Sequence, residues 1–211
     1  MVDALERLAC TPIPVQDGSF NPQAILPYGC QIAHIAAAMR EFVEFLGYIN
    51  TQLHSKQIAR LETLLMPANF SSVVGEFIAN AIPKHCAGLV KNQYHNGHPD
   101  LIPSGLYPDD AVQHSSEGIE IKASRYPSGW QGHNPEAVWL MVFVFESNRP
   151  TDRARQIEPR PFEFKAVFGA RLEQSDWTYS GRSESSRRTI TASVNRAGYD
   201  KLTANWVYRT A

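Results

Sequence analysis

HPDLIPSGLYPDDAVQHSSEGIEIKAS, residues 98–124, is the most telling stretch of the chain. Its end, residues 118–123, alternates as a strand does: Ile119 and Ile121 go to one face, Glu120 and Lys122 to the other. An apolar strand face belongs against a core, so the opposite face sets a carboxylate beside an ammonium. Asp100 brings a second carboxylate from the neighbouring segment, where Leu101 and Ile102 extend until Pro103, Gly105 and Pro108 break the strand. Two acids that share a divalent cation, with a lysine beside them, are the groups that phosphodiester hydrolysis requires. The cation neutralises phosphate charge and activates a water, and the lysine orients that water or stabilises developing charge. A surface turn leading into a half-buried strand with a solvated Glu and Lys would give the same letters. Asp109 and Asp110 are further acids nearby, read as solvated loop residues rather than ligands.

The pattern Pro99-Asp100 with Glu120-Ile121-Lys122 resembles the PD-(D/E)xK nuclease superfamily, which includes type II restriction endonucleases and several repair and phage nucleases. The resemblance covers residues 98–124: Asp100 matches the first acid, Glu120 the second and Lys122 the lysine. It implies an α/β fold, restriction-endonuclease-like, with a central mixed sheet flanked by helices. It implies Mg²⁺, with Mn²⁺ as a substitute, held by Asp100, Glu120 and the Ile121 carbonyl, and Lys122 orienting the water. The substrate it implies is double-stranded DNA, cut to leave 5′-phosphate and 3′-hydroxyl ends. A helix before the first acid often supplies another acid in this family, and Glu76 occupies that place. Cutting both strands suits a homodimer, whose two-fold matches that of the duplex. A type II restriction endonuclease is the first expectation, and a repair, homing or mobile-element nuclease the second. Outside the class stand a DNA-binding module that does not cleave and an interaction protein whose motif is accidental.

With 211 residues, 43% of them hydrophobic, the chain has enough material for one sizeable core, and residues 1–211 are read as one domain. Its parts are an N-terminal arm with helices (1–83), a catalytic sheet (84–148) and a basic β-rich part (149–211). The longest wholly apolar run, residues 137–145, is too short to span a bilayer, and the N-terminus lacks the pattern of a secretory signal. Three scattered cysteines without a CxxC pair favour reduced thiols, so a cytoplasmic protein is expected. The net charge of −1 is unevenly spread. From Arg149 onward twelve Lys and Arg face seven Asp and Glu, a balance of +5; the first 148 residues carry −6. An acidic part holding metal ligands joined to a basic part suits an enzyme that grips a polyanion.

Along the chain, residues 1–30 read as an irregular arm with a short first helical turn. Helical periodicity from Gln31 is expected to pause near Gly47 and resume from Thr51 until Pro67. Residues 69–81 predict a third helix, capped by Asn69 or Ser71 and closed by Pro83. Cys86, His85, His95 and His98 fit no familiar zinc spacing, and a structural zinc is not expected from them. His98, just before Pro99-Asp100, is a candidate phosphate contact and equally a residue that shapes the turn. Residues 125–135 form a Pro/Gly-rich loop where the family commonly has a crossover helix, with Trp130 and Gln131 as exposed-looking groups able to approach DNA, Trp130 being read equally as an anchor for the loop itself. Residues 138–146, VWLMVFVFE, predict a strand buried on both faces beside the one bearing Glu120. Residues 151–161 read as a hinge or surface excursion. The 180–188 loop offers Arg182, Arg187 and Arg188 as the principal DNA-binding candidates, since guanidinium forks match phosphate oxygens.

Overall fold

The computed structural model describes residues 2–132, 135–179 and 192–210. Six strands form its main sheet, in the order β1 (Leu89–Lys91), β2 (Leu101–Pro103), β3 (Ile119–Ser124), β5 (Trp139–Glu146), β6 (Glu163–Arg171) and β9 (Trp206–Arg209). β3 and β5 run parallel and the other neighbours antiparallel, so the sheet is mixed. β5 is central because its sequence allows nothing else: Leu140 to Phe145 are all buried, and alternate side chains serve different cores. Met141, Phe143 and Phe145 join Ile119 and Ile121 against the helices α2 (Ile32–Ser55) and α4 (Pro67–His85). Leu140, Val142 and Val144 face the other way, beneath Trp130, Trp177 and Leu202. Each such side chain contributes about 1.5–3 kcal/mol on burial. A small second sheet, β4 (Gln131–Gly132), β8 (Ala192–Val194) and β7 (Trp177–Tyr179), and helix α5 (Arg196–Ala204) provide that second cover.

The helical part differs from its sequence reading in three places. Residues 2–9 form a two-turn helix, α1 (Val2–Ala9), and the following arm hydrogen-bonds to the sheet through Ile13 N–H to the Phe162 carbonyl and Asn21 N–H to the Val207 carbonyl. α2 runs unbroken through Gly47, where the arm crosses the helix closely: a Cβ on Gly47 would lie 3.1 Å from Pro12 Cδ. Only a short helix, α3 (Leu61–Leu64), lies between α2 and α4. α4 begins at Pro67, where a missing N–H is harmless, and continues past Pro83 to His85, so neither Asn69 nor Ser71 is its cap.

β3 and β5 are joined by residues 125–138, and no helix crosses between them among the described residues. Residues 151–161 are a largely exposed surface excursion. Asn148 ties them down by donating to Asp152 Oδ2 (3.1 Å) and the Glu158 carbonyl (3.1 Å), and by accepting from the Arg160 N–H (2.7 Å). Among the described residues, no helix is long and apolar enough to cross a membrane.

Candidate active site

The site begins with the turn into β3. Gly118 has φ +134, and a Cβ there would sit 2.1 Å from the Leu101 carbonyl oxygen, so only glycine brings β2 and β3 this close. The Tyr28 hydroxyl fixes the turn, accepting from Gly118 N–H (2.8 Å) and donating to Glu117 Oε2 (2.9 Å). β2 and β3 then pair at Leu101 and Ile119. Continued by one residue, that antiparallel register sets Asp100 across from Glu120. Asp100 Oδ2 accepts the Ile121 N–H at 2.8 Å. In an extended strand the N–H and C=O of one residue point to the same side, so the Ile121 carbonyl also turns toward Asp100.

On the opposite face from Ile119 and Ile121, the buried Glu120 is held at both oxygens. Lys122 Nζ lies 2.5 Å from Oε1, and His98 Nδ1 lies 2.9 Å from Oε2. The second nitrogen of His98 reaches Glu136 Oε2 at 3.1 Å, as an ion-pair contact off the line of a hydrogen bond. Trp177 Nε1 donates to the Glu136 carbonyl (3.0 Å) and anchors that loop. Beside them opens a cleft of ≈ 360 Å³, lined by His98, His114, Ser115, Glu136 and Gln174 among others.

These neighbours split the two carboxyls. Burial raises the Asp100 carboxyl, the charge on Glu120 raises it further, and it is pushed up to about 7. Burial would raise Glu120 too, but the His98 hydrogen bond and the Lys122 charge outweigh it and hold Glu120 down at about 2. Burial alone would lower His98 and Lys122; Glu120 outweighs it for both, raising each above its ordinary value. Glu120 therefore stays ionised while Asp100 keeps a proton until near neutrality.

Asp100, Glu120, Ile121 and Lys122 come together as expected from their positions. His98 lies inside the cluster, between Glu120 and Glu136, and lines the cleft beside it. Glu76 is 65% exposed on α4 and pairs with Lys91 Nζ at 2.7 Å, and that lysine in turn lowers Asp100. Its described partner is thus Lys91 rather than either carboxylate. Gln131 is exposed on β4, whereas Trp130 is buried, donating to the Tyr126 carbonyl (2.9 Å) and stacking on Tyr199, so it anchors its loop instead of facing DNA. Arg182, Arg187 and Arg188 lie outside the described residues. Glu136 was not foreseen: it sits in an irregular loop, and its only signal is its place three residues before β5, beside the start of β3 in the parallel register.

The histidines and cysteines also regroup. His85 pairs with Glu41 at 2.6 Å, and Cys86 meets Cys30 and His34. Burial pushes the Cys30 thiol up to about 12, with Cys86 adding to the effect. Compared with known protein families, curated proteins and solved structures, the chain has no significant match in any of the three.

Proposed function

We propose that the protein is a metal-dependent deoxyribonuclease of restriction-endonuclease-like fold, hydrolysing phosphodiester bonds in double-stranded DNA. The observation that carries this reading is the convergence of Asp100, Glu120 and Lys122 at one end of β3, with Asp100 fixed on the Ile121 N–H. A binding surface or an accidental motif gives no reason to bury two carboxylates together, since each destabilises the other when ionised. The donor set, two carboxylates and a strand carbonyl, is hard oxygen and fits Mg²⁺ or Mn²⁺. When bound there, such a cation supplies charge neutralisation at the phosphate and acidifies a water. Asp100 and Glu120 would hold the cation, with the Ile121 carbonyl as a further oxygen donor. Lys122, which here contacts one Glu120 oxygen, is placed to orient a water beside the two carboxyls. His98 keeps Glu120 oriented and ionised. The excess of basic residues after Arg149 supplies the attraction for the polyanion.

A type II restriction endonuclease acting as a homodimer is the first reading within the class. Purified protein with plasmid and phage DNA, in Mg²⁺, Mn²⁺ or EDTA and beside Lys122→Ala, tests it on a gel. Discrete metal-dependent fragments, absent with Lys122→Ala, are expected. A smear would keep the chemistry and remove the restriction reading. No cleavage by folded protein with either metal would refute the nuclease.

A further inference from the structure

We infer that Cys30, His34 and Cys86 form a second metal site, selective for a soft divalent cation such as Zn²⁺ and separate from the carboxylate cluster. One ligand atom from each residue lies within 4.8 Å of the other two. A tetrahedral zinc with bonds of about 2.3 Å to sulfur and 2.0–2.1 Å to nitrogen spaces its ligands by roughly 3.4–3.8 Å. A small adjustment of side chains in place closes that difference. Two thiolates and one imidazole are the donor types that select zinc over magnesium. Three protein ligands leave the fourth position to water.

The three residues come together where the start of α2 meets the end of α4. Cys30 lies two residues before α2, His34 is in its first turn, and Cys86 follows the last residue of α4. The backbone is built for this approach: Gly88 passes so near residue 28 that a Cβ would stand 2.1 Å from the Tyr28 carbonyl oxygen. Cys86 Sγ itself lies 4.0 Å from that oxygen. Both cysteines are buried, and neither takes part in a disulfide. His34 Nδ1 accepts the Gln31 N–H at 3.1 Å. A metal on either ring nitrogen ends that bond, because the ring then either spends the Nδ1 lone pair on the metal or carries its proton there.

Occupancy staples the segment before α2 to the end of α4. The same segment carries Tyr28, whose hydroxyl holds Glu117 and Gly118 at the entrance to β3. The effect of the metal thereby reaches the strand that presents Glu120.

Reduced, metal-free full-length protein titrated with Co²⁺ in the presence of Mg²⁺ tests the site. One equivalent per chain should bind, with a thiolate-to-cobalt charge-transfer band and the strong visible bands of tetrahedral cobalt. Zn²⁺ should displace it and raise the Tm by at least about 5 °C. Cys30→Ser should lose most of the charge-transfer band. His34→Gln, at a half-buried position, should keep the fold and weaken cobalt binding at least tenfold. Absence of stoichiometric binding by the folded wild type would overturn the inference, as would a charge-transfer band unchanged in Cys30→Ser.

Discussion

The fold alters the chemistry of Asp100 strongly. Its carboxyl is moved from an ordinary value of 3.8 to about 7, first by burial and then by Glu120. A proton and a metal ion compete for it, so metal binding should strengthen as pH rises, about tenfold per unit below 7 and little above. Mn²⁺ titrations between pH 5.5 and 8.5 check this, and Asp100→Asn should bind weakly with little dependence on pH. A flat profile for the wild type would contradict the assignment. Without metal the same group acts on stability. Between pH 4 and 7 the folded chain keeps a proton that the unfolded chain has released, so stability from this group falls as pH rises through that window. Glu120 acts oppositely: its folded value of about 2 lies below its ordinary 4.5, and its contribution, present above that ordinary value, is lost as pH falls through about 2. His98 is a positioning residue in this scheme. His98→Ala removes a donor from Glu120, so the loss of stability on acidification that Glu120 contributes should move to higher pH, a shift that mere loss of packing would not produce.

At the scale of elements, the junction of β2 and β3 is where local structure makes the site. A side chain at Gly118 meets backbone, the Leu101 carbonyl, rather than a movable side chain. Gly118→Ala should therefore cost more than about 2 kcal/mol in urea denaturation and weaken Mn²⁺ binding, by moving Asp100 away from Ile121. β3 and β5 were legible in the sequence because strand alternation and a continuous apolar run are local patterns with few alternative uses. The Asp100, Glu120 and Lys122 grouping followed from them. What was not legible depended on residues distant in the chain. The room left at Gly47 of α2 is taken by Pro12, and the burial of Trp130 depends on Phe168 and Tyr199. Glu136 enters the site only because β3 and β5 are parallel. His98 stands out in the sequence for its place before Pro99, but nothing local shows that Glu120 and Glu136 flank it.

Over the whole molecule, one buried network ties the N-terminal arm, the helices and the loop after β5. The Arg60 guanidinium, 2% exposed, pairs with the fully buried Glu62. It also bonds Glu6 at 2.9 Å and Asn148 Oδ1 at 2.9 Å, and Glu62 accepts from Asn50 (2.9 Å). Removing the cation alone leaves a buried carboxylate uncompensated, so Arg60→Ala should destabilise by about 3–5 kcal/mol, whereas Arg60→Met with Glu62→Leu should recover much of the loss. Chemical denaturation of the two variants distinguishes this from simple loss of packing. The charge asymmetry belongs to the same scale. DNA affinity should fall steeply with salt. Changing Arg182, Arg187 and Arg188 together to Ala should flatten the log–log slope by up to about 2.7, since each phosphate left without its cation removes about 0.9. Cleavage of DNA with a divalent cation is proposed for Asp100, just before β2, and Glu120, on β3. It is tested most directly by the initial rate at which supercoiled plasmid is opened in saturating Mg²⁺ by the wild type and by Glu120→Gln, both folded by circular dichroism. A rate at least about a hundredfold lower in the variant is expected; equal rates, or none in the wild type, would contradict it.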